Sequence, residues 1–175
     1  MRTAEAWDRF EDVMQQKSPI NFEALRPPAS AEAVAAAEKA MKVKFPAALR
    51  DAYLRHDGAN LGTFQMKSGL ALFHNCWWCG LNEMVSYWNF MVAAAGAVEM
   101  DDPDFQMFPI KGPHWDRLAI RPEWWNRKRI PIGRSNTANA YYIDLMPGPQ
   151  GKKGQIISDS GELSAALIAP DSTLG

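Results

Sequence analysis

Apolar residues recur at helical spacing through the first third of the chain and in short runs thereafter. Between residues 4 and 16, Trp7, Phe10 and Val13 or Met14 fall on one side with Asp8, Glu11 and Asp12 on the others, which predicts a short amphipathic helix. Its apolar stripe must dock on something. After the breaker RPPAS, Ser30 offers a hydroxyl N-cap to the alanine-rich run AEAVAAAEKAMKV, whose Val34, Ala37 and Met41 share a face. Pro46, with a fixed φ suited to a first turn, predicts a third helix through Tyr53 and Arg55, and Gly58 supplies a left-handed residue to close it. Three helices are expected before residue 58.

From Leu61 the texture changes. GTFQM and GLALF, broken by glycine and asparagine, read as a pair of strands. A helix is predicted from about Leu81 to Ala95, where Met84 or Val85, Trp88 and Met91 or Val92 repeat at helical spacing, and the acidic stretch EMDDPD ends it. Beyond Pro109, the runs WDRLAI, EWW, RIPIG, AYYIDL and QIIS are each bounded by Gly, Pro, Asn or Ser, the pattern of an antiparallel sheet. Helices first and strands second argue for an α+β fold rather than alternating βαβ units. At 175 residues the chain is expected to form one domain over 1–175, with roughly 70% of its extended surface hidden on folding.

Composition narrows the function classes. Hydrophobic residues at 47% and charged residues at 22% disfavour disorder and fibrous structure. With 19 basic and 20 acidic residues, the net charge of -1 gives no global reason to bind nucleic acid or a membrane, so a polar partner must meet a local patch. The charged amino terminus MRTAEAWDRFEDVMQQ lacks the apolar run of a secretory signal, which predicts a cytoplasmic protein. The longest apolar stretch, FMVAAAGAV, falls far short of the roughly 20 residues that span a bilayer. Seven tryptophans are many for this length, and some are expected to line a surface groove.

Four segments invite a chemical reading. HNCWWC places His74, Cys76 and Cys79 within six residues. Zinc usually takes four ligands from two separated pairs, and no second cysteine pair exists, while a redox Cys-Trp-Trp-Cys expects a strand-to-helix setting in a βαβ unit. Two thiols beside aromatic residues in a reduced core is the preferred reading, with no metal or other cofactor. No G-x-S-x-G occurs, and GPQGKKG has neither Walker spacing nor a following helix, so it reads as a lysine-tipped hairpin turn. RPEWWNRKR mixes Arg121, Arg127, Lys128 and Arg129 with two tryptophans and could hold a nucleic acid strand, but a solvated strand end over buried aromatics is preferred. Glu99, Asp101, Asp102 and Asp104 lack the alternation of a calcium loop; a solvated loop or a contact patch for a basic partner remains.

Three stretches together resemble the SUKH superfamily, of Smi/Knr type. LRPPASAEAVAAAEKAMKVKFPAALRDAYLRHDGAN at 25–60 carries a Pro-Pro-Ala entry, a helix with a central Glu38, a Phe-Pro start and a closing Asp-Gly. GLNEMVSYW at 80–88 is similar to the family's middle helix, and WWNRKRIPIGRSNTANAYYIDLMPGPQGKKGQII at 124–157 to its central strands. The resemblance runs from Trp7 onward and rests on the order and spacing of the pieces. It implies a SUKH-like, mostly antiparallel sheet flanked by helices and no enzymatic activity. Bacterial relatives look mainly like immunity proteins that bind and block a cognate polymorphic toxin, often a nuclease. Two departures stand out: Gly133, Arg134, Ser135 and Asn136 follow Ile-Pro-Ile where many relatives have an Asp, and LIAPDSTLG stands where the family tends to place a closing helix.

The resulting expectation is a cytoplasmic immunity protein that occludes a cognate protein toxin, with no direct contact to nucleic acid or membrane. The expected partner-binding residues are Glu99, Asp101, Asp102, Asp104, Trp124, Trp125, Asn136, Asn139 and Tyr141. A regulatory scaffold of the Smi/Knr type is the alternative, and a small redox or zinc protein using His74, Cys76 and Cys79 the third.

Overall fold

Helices lead and strands follow in the computed structural model, which describes residues 3–60, 76–97, 119–121, 125–135, 139–159 and 165–167. The helices are α1 (Thr3–Lys17), α2 (Pro19–Glu23), α3 (Ala31–Met41), α4 (Ala47–Arg55) and α5 (Leu81–Ala97). The strands are β1 (Trp77–Trp78), β2 (Arg129–Arg134), β3 (Ala140–Asp144), β4 (Gln155–Asp159) and β5 (Ala165–Leu167). They form one antiparallel sheet in the order β1-β2-β3-β4-β5. The class is α+β, as the segregation of periodicities predicts.

Local sequence explains most of the helix ends. Ser30 Oγ accepts the Ala33 amide at 3.1 Å and starts α3. Lys42 ends it in the left-handed conformation at φ 53°, while the Val43 amide reaches back to the Glu38 carbonyl at 3.0 Å. Asp57 Oδ1 accepts the Leu81 amide and Glu83 Oε2 the Gly80 amide, each at 2.8 Å, so the first turn of α5 is capped both from a distant loop and from within. Val34, Ala37 and Met41 are buried on one face, as predicted, and Glu38 is buried with them.

Some expectations need correction. Four helices rather than three precede residue 58, because Pro19 opens the five-residue α2, too short for a periodicity to register. Gly58 does not close α4: the helix ends at Arg55, His56 is extended, and Gly58 at φ +75° instead lets the chain pass against Cys79 and Gly80. Ala119 and Ile120 lie in a turn and bend, not a strand, and Trp125 is likewise outside the sheet. The strand pair expected from Leu61 lies outside the described residues.

The sheet carries apolar side chains on both faces. Ile130 and Ile143 pair across β2 and β3 and join the main core with Met41, Tyr53, Trp78, Met84 and Trp88. The alternate residues Tyr142 and Ile157, paired across β3 and β4, join Ile120 and Ala140 in a smaller cluster. This two-sided burial is why β2 reads as the unbroken apolar run Ile-Pro-Ile rather than an alternating one. Pro131 has no amide to donate to the ladder, and the register shifts between Pro131 and Gly133. Ile132, left out of that pairing, gives its carbonyl to the Cys79 amide at 3.0 Å. GPQGKKG falls in the β3–β4 connection with Lys152 and Lys153 exposed, the turn the sequence predicts.

Candidate interaction surfaces

Ion pairs hold α1 against α4, and an α1 indole packs on β1. Arg55 sends Nη2 to Asp8 at 2.6 Å and to Glu11 Oε2 at 2.8 Å, and its Nε–H donates to Glu11 Oε1. His56 Nε2 stands 2.9 Å from the same Glu11 oxygen, and Nδ1 stands 3.0 Å from the Arg26 carbonyl. Both ring nitrogens therefore stand within hydrogen-bond distance of oxygens, which ties the ring to α1 on one side and to the Arg26 carbonyl on the other. The Arg55 fork holds the Glu11 carboxyl below the usual carboxylate range against the opposing effect of burial, and the two carboxylates reinforce the charge on Arg55. Trp7 stacks on Trp78 with centroids 5.5 Å apart and meets Phe10 edge-on at 5.3 Å.

An open groove of about 540 Å³ runs along this contact, lined by Ala4, Trp7, Glu11, Pro28, Asp51, Leu54, Arg55 and His56. Leu54 is exposed on its rim, and Asp51, one turn before Arg55, is exposed too. The residues responsible were legible only in part. The helical periodicity places Trp7 on the apolar stripe of α1, but its groove-facing role depends on Trp78, which lies far along the chain.

A second surface lies where α5 crosses the sheet. The Tyr87 ring lies near-parallel to those of Phe90 and Tyr142, with centroids 6.2 and 6.4 Å away, and the Arg134 guanidinium sits over its ring at 4.2 Å. Phe90 is 63% exposed, the highest value among the large hydrophobic side chains of the described residues. Tyr87 and Phe90 form an i, i+3 aromatic pair beside the Met84–Trp88–Met91 core stripe, and that second stripe is the signal that could have found them.

Of the expected partner-binding residues, Glu99, Asp101, Asp102, Asp104, Trp124 and Asn136 lie outside the described residues, as does His74. Trp125 is half-buried, edge-on to Tyr142 at 5.5 Å, with its indole N–H enclosed and without a hydrogen-bond partner among the described residues. Tyr141 is half-buried against the main core, and burial raises its phenol. It points to the face opposite Tyr142, while Trp125 packs against both the main core and the smaller cluster. Ser135 and Asn139 close the GRSNTAN loop reciprocally: the Ser135 amide donates to the Asn139 carbonyl at 2.9 Å, and the Asn139 amide to Ser135 Oγ at 3.0 Å.

Cys76 and Cys79 are free and fully buried, which agrees with thiols in a reduced core. Burial pushes the Cys76 thiol up to about 11 and the Cys79 thiol, with Glu83 adding to the effect, up to about 12. At pH 8 the folded protein is expected to resist a chromogenic disulfide reagent for many minutes, whereas the urea-unfolded chain releases two equivalents at once. Rapid labelling of the native protein would contradict this placement. Among the described residues no group of three or more His, Cys, Asp or Glu is arranged to hold a metal ion. No described helix is long and apolar enough to cross a membrane.

No curated protein matches the sequence. A family model does match, and it spans residues 28–171, which takes in α3 to α5 and the whole sheet but leaves α1 and α2 ahead of it. With most of its length inside that match and the helices-first antiparallel architecture in place, the chain belongs to the SMI1 / KNR4 family (SUKH-1).

Proposed function

We propose that the protein is an immunity protein, which binds a cognate bacterial polymorphic toxin and neutralises it by covering its active surface. The family match over residues 28–171 carries this reading, because the family consists generally of non-enzymatic immunity or regulatory proteins. The surfaces support it. Phe90, Tyr87 and Arg134 present aromatic and cationic groups of the kind enriched at protein interfaces, and the α1–α4 groove adds a recess. An interface of standard size, roughly 1,600 Å², suffices to occlude a toxin domain. The acidic run from Glu99 to Asp104, Trp124, Trp125, Asn136, Asn139 and Tyr141 are further proposed contacts.

Co-expression of the full chain with the toxin domain encoded beside its gene tests the reading. Cells expressing the toxin domain are expected to survive only with this protein present, and the two chains to co-elute as a stable complex. Unrelieved toxicity without a complex would remove the immunity reading and leave a regulatory scaffold as the interpretation of the fold.

A further inference from the structure

The α1–α4 groove has a charge imbalance that its own residues do not resolve. Asp51 and Arg55 stand four apart on α4, the spacing at which they could pair. Arg55 is instead drawn across to α1, where Glu11 and Asp8 take its guanidinium. Among the described residues Asp51 has no ion-pair partner, and it lines the groove as an exposed carboxylate. Glu11, Asp8 and Asp51 thus set three carboxylates against the Arg55 guanidinium. An incoming anion would add a fourth negative charge.

The apolar walls complete the description of an occupant. Trp7 is held rigid by its stack on Trp78, and Leu54, Pro28 and Ala4 lie around it. An aliphatic stem can lie along these groups while a terminal cation reaches a carboxylate, the disposition that arginine and lysine adopt at half-apolar surfaces. A rigid aromatic wall also lowers the ordering cost of binding. The groove is assembled from two parts of the chain: Ala4, Trp7 and Glu11 of α1 lie ahead of the family match, and Pro28, the α4 residues and His56 lie inside it.

We infer that the groove between α1 and α4 receives an arginine or lysine side chain from the bound protein and serves as a specificity pocket for it. This rests on the immunity reading and names the surface and the partner chemistry that it leaves open.

Asp51→Lys in the full chain reverses the charge at an exposed helix position, where the fold is expected to survive; circular dichroism and the thermal midpoint check that it does. Binding of the neighbouring-gene toxin domain is expected to weaken by about thirtyfold or more, the scale of a hot-spot contact. Lys39→Glu on exposed α3 is expected to leave it unchanged. If wild type binds the toxin and Asp51→Lys binds equally well, the groove inference is overturned while the immunity reading stands. A second measurement needs no toxin: N-acetyl-arginine methylamide is titrated into the labelled full chain while the Trp7 indole N–H resonance is followed. A saturable shift in wild type that is lost in Asp51→Asn supports the pocket even should the toxin reading fall. No shift, or a shift only with N-acetyl-glutamate methylamide, overturns it.

Discussion

A Gly58→Ala protein is expected to lose on the order of 3–5 kcal/mol of folding stability, with the thermal midpoint falling by about 10 °C. Two effects add. At φ +75° an L-residue pays about 1–2 kcal/mol simply to adopt the backbone conformation. A Cβ built there would also lie 2.5 Å from the Gly80 nitrogen and 2.7 and 2.8 Å from the Cys79 carbonyl carbon and oxygen. These are backbone atoms that cannot rotate away. To make room, the chain around Gly58 must separate from the segment after β1, and that seam is closed by several bonds. The Ala59 amide donates to the Trp78 carbonyl at 3.1 Å and the Arg26 amide to the Gly58 carbonyl at 2.9 Å. The Tyr53 hydroxyl donates to the Cys79 carbonyl at 2.7 Å while accepting from Trp78 Nε1 at 3.1 Å. Urea unfolding followed by tryptophan fluorescence measures the loss. A deficit under about 1 kcal/mol would mean that this seam opens without breaking its bonds, contrary to the packing described.

The second large effect is expected at Glu38. Its side chain is 3% exposed, yet it accepts the Phe45 amide at 2.7 Å and a fork from Arg50, Nη2 at 2.7 Å from each oxygen and Nε at 3.0 Å from Oε1, with Lys44 at 3.4 Å. Glu38→Ala leaves the Phe45 amide without its acceptor inside the core. Arg50 is 43% exposed and returns to water, so the cost stays below that of stranding a fully buried charge. About 2–3 kcal/mol is the expected destabilisation. Burial pushes the Glu38 carboxyl up, but the Arg50 fork and the Phe45 amide outweigh it and leave it below its ordinary value of 4.5. A carboxyl with a depressed folded-state pKa stabilises fully above its unfolded value and loses that contribution as pH falls. Wild type is therefore expected to hold its urea midpoint down to about pH 4.5 and to lose stability progressively below it. Glu38→Ala, having already lost this contribution, is expected to show a shallower acid slope, Glu11 supplying part of what remains. Parallel acid slopes for the two proteins would rule out Glu38 as a source of the dependence.

Both residues belong to the stretch that resembles the family in sequence, but their reasons for being there are not visible in it. Glu38 reads as one more polar position on an alanine-rich helix, and only the return of the chain through Phe45 and Arg50 gives it partners. Gly58 reads as a helix-ending glycine, and the close passage of Cys79 and Gly80 gives it another purpose. The aromatic contacts divide the same way. Trp125 and Tyr141 were legible as aromatic, but the pleat sends Tyr141 and Tyr142 to opposite faces, and Phe90 with Tyr87 makes the more exposed surface.

What the amino-acid order determined by itself was local: the Ser30 cap, the buried stripe of Val34, Ala37 and Met41, the helix from Leu81, the strands at Ile-Pro-Ile, Tyr-Tyr-Ile-Asp and Gln-Ile-Ile, and through their combined order the family. Each of these depends on neighbours within a few positions, where periodicity and hydrogen-bond geometry act. Only the tertiary structure decided that Arg55 turns from Asp51 to Glu11 and Asp8, that Trp7 meets Trp78, and that a groove opens between them. Those contacts join residues tens of positions apart. They are selected by which surfaces the whole chain can bury at once, a condition that no short stretch of sequence contains.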